Sequence, residues 1–302
     1  MQTRGPGYAG RVSRWPSITE PDLLDRLGLD DSGFDEYLRA LAVALPPREY
    51  DAAVLAQAIG YPWVRPAGSY RLTDAGVEPL AELSEAEREA AIAELTSDAG
   101  GRLPVLAIGS NGAPAALERK FAHFAEGDDR TVLALTGRLH GFDVGAAPQP
   151  TIYGSMPATP FPSPGTAVCA TLLWVTPAQF TQLTWSELTY RLGRLRTRFE
   201  SDDGLPDFDE VLVFVSRFGA FCVDGRPVAL AAVEASGRSA EALTQEQLLD
   251  AAAVLALGPE AKAEALVRAI FEDLAGTNEK IAASVRKASL PFDSELWTPW
   301  SR

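Results

Sequence analysis

The sequence predicts an α+β fold with a central mixed sheet flanked by helical N- and C-terminal regions, and three observations carry this. Residues 21–100 and 239–302 repeat apolar side chains at helical spacing, with capping signatures at helix starts. Residues 103–233 instead hold short runs of β-branched and aromatic residues bounded by Gly, Pro and Asp. A chain of 302 residues that is 46% hydrophobic can bury a sizeable core and form one or two domains.

The elements follow in order. Residues 1–20 are rich in Arg, Gly and Pro and read as an irregular arm. Pro21 opens a short helix, and residues 35–43 repeat apolar side chains at helical spacing. Gly68 to Thr73 reads as a short strand, and Ser84 with Glu87 forms a capping box for a helix running toward Thr96. Residues 104–108 are a short apolar run ending at Gly109, hence a buried strand, and Pro114 starts a helix through residue 124. Strands are expected over residues 131–144, 166–175, 188–199, 210–216 and 221–223, with a helix over 177–185. That makes a sheet of five or six strands. Thr244 and Gln247 form a second capping box, Pro259 restarts a helix through Glu272, and Thr277 is the candidate cap of another. The tail from Leu296 to Trp300 is too apolar to hang free.

The formal charge of −14, from 41 acidic and 27 basic residues, repels phosphate backbones and anionic lipid. No nucleic acid and no membrane partner is expected. The first residues lack the apolar stretch of a signal peptide, and no run approaches ~18 apolar residues, so a cytoplasmic protein is expected. Cys169 and Cys222 lie in apolar runs and read as buried free thiols. His123 and His140 are the only histidines, and neither has the neighbours that a triad or a zinc site requires. No metal or other cofactor is expected, and no residue pattern specifies an oligomeric state.

Two features could carry chemistry. Gly109-Ser110-Asn111-Gly112 joins a strand to a helix, where backbone N–H groups lack intrahelical partners and favour an anion or a developing oxyanion. The alternative is an ordinary turn with Ser110 or Asn111 as helix cap. Glu187 lies between Leu183, Trp185, Leu188 and Tyr190, a setting in which desolvation disfavours the ionised carboxylate and suits it to proton transfer. The alternative is a solvated Glu at a helix end.

The order strand, Gly109-Ser110-Asn111, helix, strands, then the segment from Pro164 to Leu183 and Glu187, resembles the gamma-glutamylcyclotransferase-like family over about residues 105–223. The resemblance implies a small, mixed, partly closed β-barrel and an enzyme in which the substrate's own α-amine attacks its γ-glutamyl carbonyl, releasing 5-oxoproline and an amine. Glu187 matches the catalytic acid–base, and Gly109, Ser110 and Asn111 match the substrate-cradling turn, with Ile108 before them expected to contact substrate as well. Ile108 stands where the family carries Tyr, and Gly112 where it carries Leu. Residues 213–215 lack the hydroxyl found on a later strand in many members, and Tyr190 is the candidate substitute. The implied partner is a small γ-glutamyl-type substrate, with no metal or nucleotide. Two other readings stand beside it: a non-catalytic module binding a metabolite or protein, and a different amide cleavage on the same scaffold.

Overall fold

The computed structural model describes residues 18–97, 101–127, 130–202 and 207–300. The first seventeen residues of the expected arm lie outside the described residues. Three helices come first, α1 (Pro21–Leu27), α2 (Asp31–Ala44) and α3 (Ala52–Ile59). The side chains of Asp30 and Asp51 cap α2 and α3 by accepting the Gly33 and Val54 N–H groups. Helix α3 has no counterpart in the sequence reading, because its residues are almost uniformly apolar and show no period. A hairpin, β1 (Tyr70–Thr73) and β2 (Gly76–Pro79), precedes α4 (Glu85–Thr96), where Ser84 and Glu87 form both halves of the capping box.

The middle of the chain runs β3 (Leu103–Ala107), α5 (Pro114–Phe121), β4 (Val132–Ala146), β5 (Ala158–Val175), α6 (Pro177–Ser186), β6 (Tyr190–Leu195), β7 (Phe199–Ser201), β8 (Val211–Ser216) and β9 (Ala220–Val223). Four two-residue strands follow: β10 (Arg226–Pro227), β11 (Ala229–Leu230), β12 (Ala235–Ser236) and β13 (Ala242–Leu243). The chain then forms α7 (Gln245–Leu257), α8 (Ala263–Glu272), α9 (Leu274–Ala283), β14 (Ser289–Leu290) and β15 (Trp297–Pro299).

The fold is α+β, built on a mixed sheet of 12 strands along the path β13-β11-β4-β5-β3-β8-β6-β15. Strands β1, β7 and β12 attach beside this path, and β2 extends β1. Pairing is antiparallel except between β3 and β8 and between β11 and β13. Among the described residues no pairing joins the two ends of the path, so no closed barrel is found. The sheet also exceeds the expected five or six strands. Strands of two or three residues are fixed by their partners and carry no period of their own.

The β4–β5 pair is the spine, antiparallel from Leu133↔Trp174 to Ala146↔Ala158 with a bulge at Gly141. The first half of β5 was missed because Pro160, Pro162 and Pro164 read as strand breakers. Their spacing of two puts the missing N–H groups on one strand edge, so the ladder to β4 survives. The expected single strand over 188–199 is two, because β6 pairs with β8 while β7 crosses to β4.

Alternation along the strands feeds two cores. Leu133, Leu135, Leu106, Val213 and Val215 face the layer made by α3, α4 and the C-terminal helices. Val132, Ala134, Val105, Ala107, Leu212 and Phe214 face α1, α5 and α6. The sheet is therefore covered on both sides, which explains its nearly continuous apolar strands. On the C-terminal side, α8 starts at Ala263 rather than Pro259, with the Ala263 N–H donated to Asp250 Oδ1 at 2.7 Å. Asp273, not Thr277, caps α9; the Thr277 hydroxyl donates to the Ala269 carbonyl at 3.0 Å. Asp273 is the stronger cap by position, since its carboxylate reaches the Gly276 N–H. Cys222 is buried as expected, whereas Cys169 is half-buried with Arg138 Nη1 3.6 Å from its sulfur.

The apolar tail is the edge strand β15, held on β6 through Trp297↔Leu195 and Pro299↔Gly193. A Cβ at Gly193 would overlap the Trp297 indole and lie 2.8 Å from the Thr298 carbonyl oxygen. Gly193→Ala is expected to cost about 1–3 kcal/mol by overpacking, read as a lower urea midpoint, and to make the tail the first site of limited proteolysis.

Candidate functional site

A cavity of about 550 Å³ opens beside the ends of β3 and α6 and is walled by α2, by the 147–157 loop and by Leu274 and Asn278 of α9. Its size suits a small-molecule site, roughly 300–1,000 Å³. All six residues singled out from the sequence line it: Ile108, Gly109, Ser110, Asn111, Glu187 and Tyr190. Neither histidine and neither cysteine does.

The turn after β3 is a single 3-10 turn over Ser110–Gly112, closed by Gly112 N–H to the Gly109 carbonyl at 3.0 Å. Neither Ser110 nor Asn111 caps α5; its N-cap is Ala113, without a side-chain bond. The Asn111 side chain instead reaches across the cavity floor, where Nδ2 donates to Glu187 Oε1 at 3.0 Å.

Glu187 is the C-cap of α6, and its backbone carbonyl accepts the Tyr190 N–H at 2.8 Å. The Thr176/Gln179 capping box and Pro177 fix where α6 begins, and its ten residues deliver Glu187 opposite the turn. The surroundings of the Glu187 carboxylate are polar, not apolar as expected from the sequence. Lys120 Nζ lies 3.3 Å from Glu187 Oε1, 2.5 Å from Asn111 Oδ1 and 2.8 Å from Ser186 Oγ. The Lys120 and Glu187 side chains are each 15% exposed, so the pair is screened less than a surface ion pair. Local sequence misleads because the partner of Glu187 comes from α5, sixty-seven residues earlier.

Tyr190 holds a structural bond, its hydroxyl donating to the Ala158 carbonyl at 2.8 Å. A second tyrosine, which sequence reasoning missed, completes the wall. Tyr61 Oη accepts the Ala158 N–H at 2.7 Å and meets the backbone and side chain of Ser110. Gly109 is required beneath it: a Cβ there would overlap Tyr61 Oη and lie 2.9 Å from Ala158 Cβ. No local pattern marks Tyr61, whose place depends on the N-terminal helices lying against the sheet. Lys120 had a weak signal, being nine residues after Asn111 on the same turn-and-helix unit.

Among the described residues, no three His, Cys, Asp or Glu side chains are grouped to hold a metal ion, and no helix is long and apolar enough to cross a membrane. A scan against family models finds none that matches the chain, and a comparison with curated proteins finds no similar sequence. The arrangement itself supplies one carboxylate, one ammonium, a side-chain amide and a turn of backbone amides around a space open to a small molecule.

Burial pushes the Tyr61 hydroxyl up to about 12 from its ordinary 10.0, with Glu187 adding to the rise and the bonds from Ala158 and Ser110 opposing it. The folded protein therefore keeps this proton where the unfolded chain has lost it, and stability contributed below pH 10 is lost as pH rises toward 12. Tyr61→Phe is expected to make the fall in unfolding free energy between those pH values shallower, by on the order of 2 kcal/mol in total. Urea unfolding at a series of pH values checks this.

Proposed function

We propose that the protein is a cyclotransferase-like enzyme, a lyase that cleaves a γ-glutamyl amide or peptide into 5-oxoproline and an amine. The observation that supports it best is the placing of the Glu187 carboxylate 3.0 Å from Asn111, at a Gly-Ser-Asn turn, on the wall of one cavity. The substrate's α-amine attacks its γ-carbonyl carbon, the new C–N bond closes the five-membered ring, and the bond to the leaving nitrogen breaks. Because both reacting groups belong to one molecule, holding them in the closing geometry supplies much of the rate. Glu187 takes the proton from the attacking nitrogen and returns it to the leaving one. The backbone amides of the 109–111 turn stabilise the α-carboxylate or the oxyanion. Lys120 and Asn111 hold Glu187 in one orientation through contacts of 3.3 and 3.0 Å.

The partly closed barrel of that family is part of the same proposal. On this reading β4–β5 and β6–β8 form facing walls, tied by the Ser216 N–H donating to Thr159 Oγ1 at 3.1 Å. The chemistry requires neither metal nor nucleotide, and the setting proposed is the cytoplasm. One observation favours a binding module instead: the hydroxyls of Tyr61 and Tyr190 are both engaged by the backbone of Ala158, Tyr61 accepting its N–H and Tyr190 donating to its carbonyl.

The test is mass-spectrometric detection of 5-oxoproline after incubation with γ-glutamyl peptides, γ-glutamyl amines and glutathione. Release by the parent protein and a loss of at least about 100-fold in Glu187→Gln are expected, the scale of general acid–base catalysis. Absence of 5-oxoproline from every substrate would leave the binding module as the better account.

A further inference from the structure

Among the described residues three charged side chains line the cavity, Arg119, Lys120 and Glu187, so that lining is formally positive in a chain of net charge −14. Lys120 and Glu187 satisfy one another. Arg119 has no carboxylate within ion-pair distance among the described residues; its guanidinium instead lies 5.1 Å from the Trp63 ring centroid and 5.8 Å from that of Tyr153. A guanidinium held by ring faces keeps its in-plane N–H fork for a carboxylate.

The Trp63 ring is anchored, and Tyr153 is 40% exposed. Trp63 donates its indole N–H to the Gln57 carbonyl at 3.1 Å. Tyr153 sits in a tight loop closed by Thr151 N–H to the Ser155 carbonyl at 2.8 Å. Ser155 lines the same cavity, is 1% exposed, and its hydroxyl has no hydrogen-bond partner. A buried hydroxyl left unpaired is costly, so this one points to a ligand. Part of the remaining wall is apolar, with Leu38, Leu41, Ile152 and Leu274, beside polar side chains that include Gln149, Gln182 and Asn278; Leu41 and Ile152 are each 39% exposed.

We propose that the leaving group is an amino acid with a bulky apolar or aromatic side chain, so that the substrate is a γ-glutamyl dipeptide such as γ-glutamyl-phenylalanine. Its C-terminal carboxylate pairs with Arg119, and its side chain covers Leu38, Leu41 and Ile152. The charge balance agrees, since such a dipeptide carries two carboxylates and one ammonium against a lining of two cations and one anion. This inference rests on the cyclotransferase reading, and the experiment separates the two.

Turnover of γ-glutamyl-phenylalanine, γ-glutamyl-glycine and γ-glutamyl-phenethylamine is measured with the parent protein and Arg119→Ala. Binding of the same three compounds to Glu187→Gln, and to Glu187→Gln combined with Arg119→Ala, is measured by calorimetry. The phenylalanine dipeptide is expected to have the highest kcat/KM. Arg119→Ala is expected to raise its KM and Kd about 10- to 100-fold, the scale of a charged hydrogen-bonded pair, while changing the phenethylamine compound less than about threefold. Equal use of the glycine dipeptide, with no effect of Arg119→Ala, overturns the inference and leaves the cyclotransferase reading standing. Arg119-dependent binding of the phenylalanine dipeptide without any 5-oxoproline overturns the chemistry and supports the subsite. Binding of none of the three overturns both.

Discussion

The long antiparallel ladder of β4 on β5 carries the rest of the molecule. Strands β1, β7 and β11 hang on β4, while β3 and β12 hang on β5, and β8 and β6 follow from β3. The ladder begins at Ala158, the first residue of β5, and the peptide groups of that residue receive both cavity tyrosines. Its N–H is accepted by Tyr61 from the N-terminal region and its carbonyl accepts from Tyr190 on β6. Two segments far apart in the chain are thereby fixed to one point on the spine. Since a buried backbone group left without a partner costs about 1–3 kcal/mol, withdrawal of either segment alone is disfavoured by that much. The cavity lies directly against this junction.

The interior of the cavity is electrically unlike the surface. The acidic surface favours solubility, but Lys120 and Arg119 are consecutive on α5 and both reach the cavity. Helix phase turns them differently, Lys120 inward to the Glu187–Asn111 pair and Arg119 to the rings of Trp63 and Tyr153 at the rim. A largely buried charge network holds its geometry better than a surface pair, because the local dielectric is lower and each partner has several bonds. A second such network, the bidentate Arg238–Asp143 pair at 2.8 Å with Asp143 fully buried, fastens the loop after β12 to the spine.

Much of the frame was legible in residue order alone. The capping boxes at Ser84 and Thr244, the strands at Leu103 and Val211, and the helix from Pro177 follow from hydrogen-bond chemistry and periodicity acting over a few residues. The loop and the carboxylate of the candidate site were legible for the same reason, a short apolar run ending in Gly-Ser-Asn and a helix ending at Glu187. Where local rules compete, sequence reading failed: three prolines hid half of β5, and Thr277 resembled a cap that Asp273 supplies.

The sequence by itself therefore determined the α+β class, the helical flanks and six of the residues that line the cavity. Only the tertiary structure decided the order in which the strands pair, that Tyr61 closes the wall, and that Lys120 and Asn111 hold Glu187 in polar rather than apolar company. Elements form from interactions between near neighbours, whose spacing the sequence displays. A site forms from side chains that the fold alone brings together, here across separations of 76 residues for Asn111 and Glu187 and 97 for Tyr61 and Ala158.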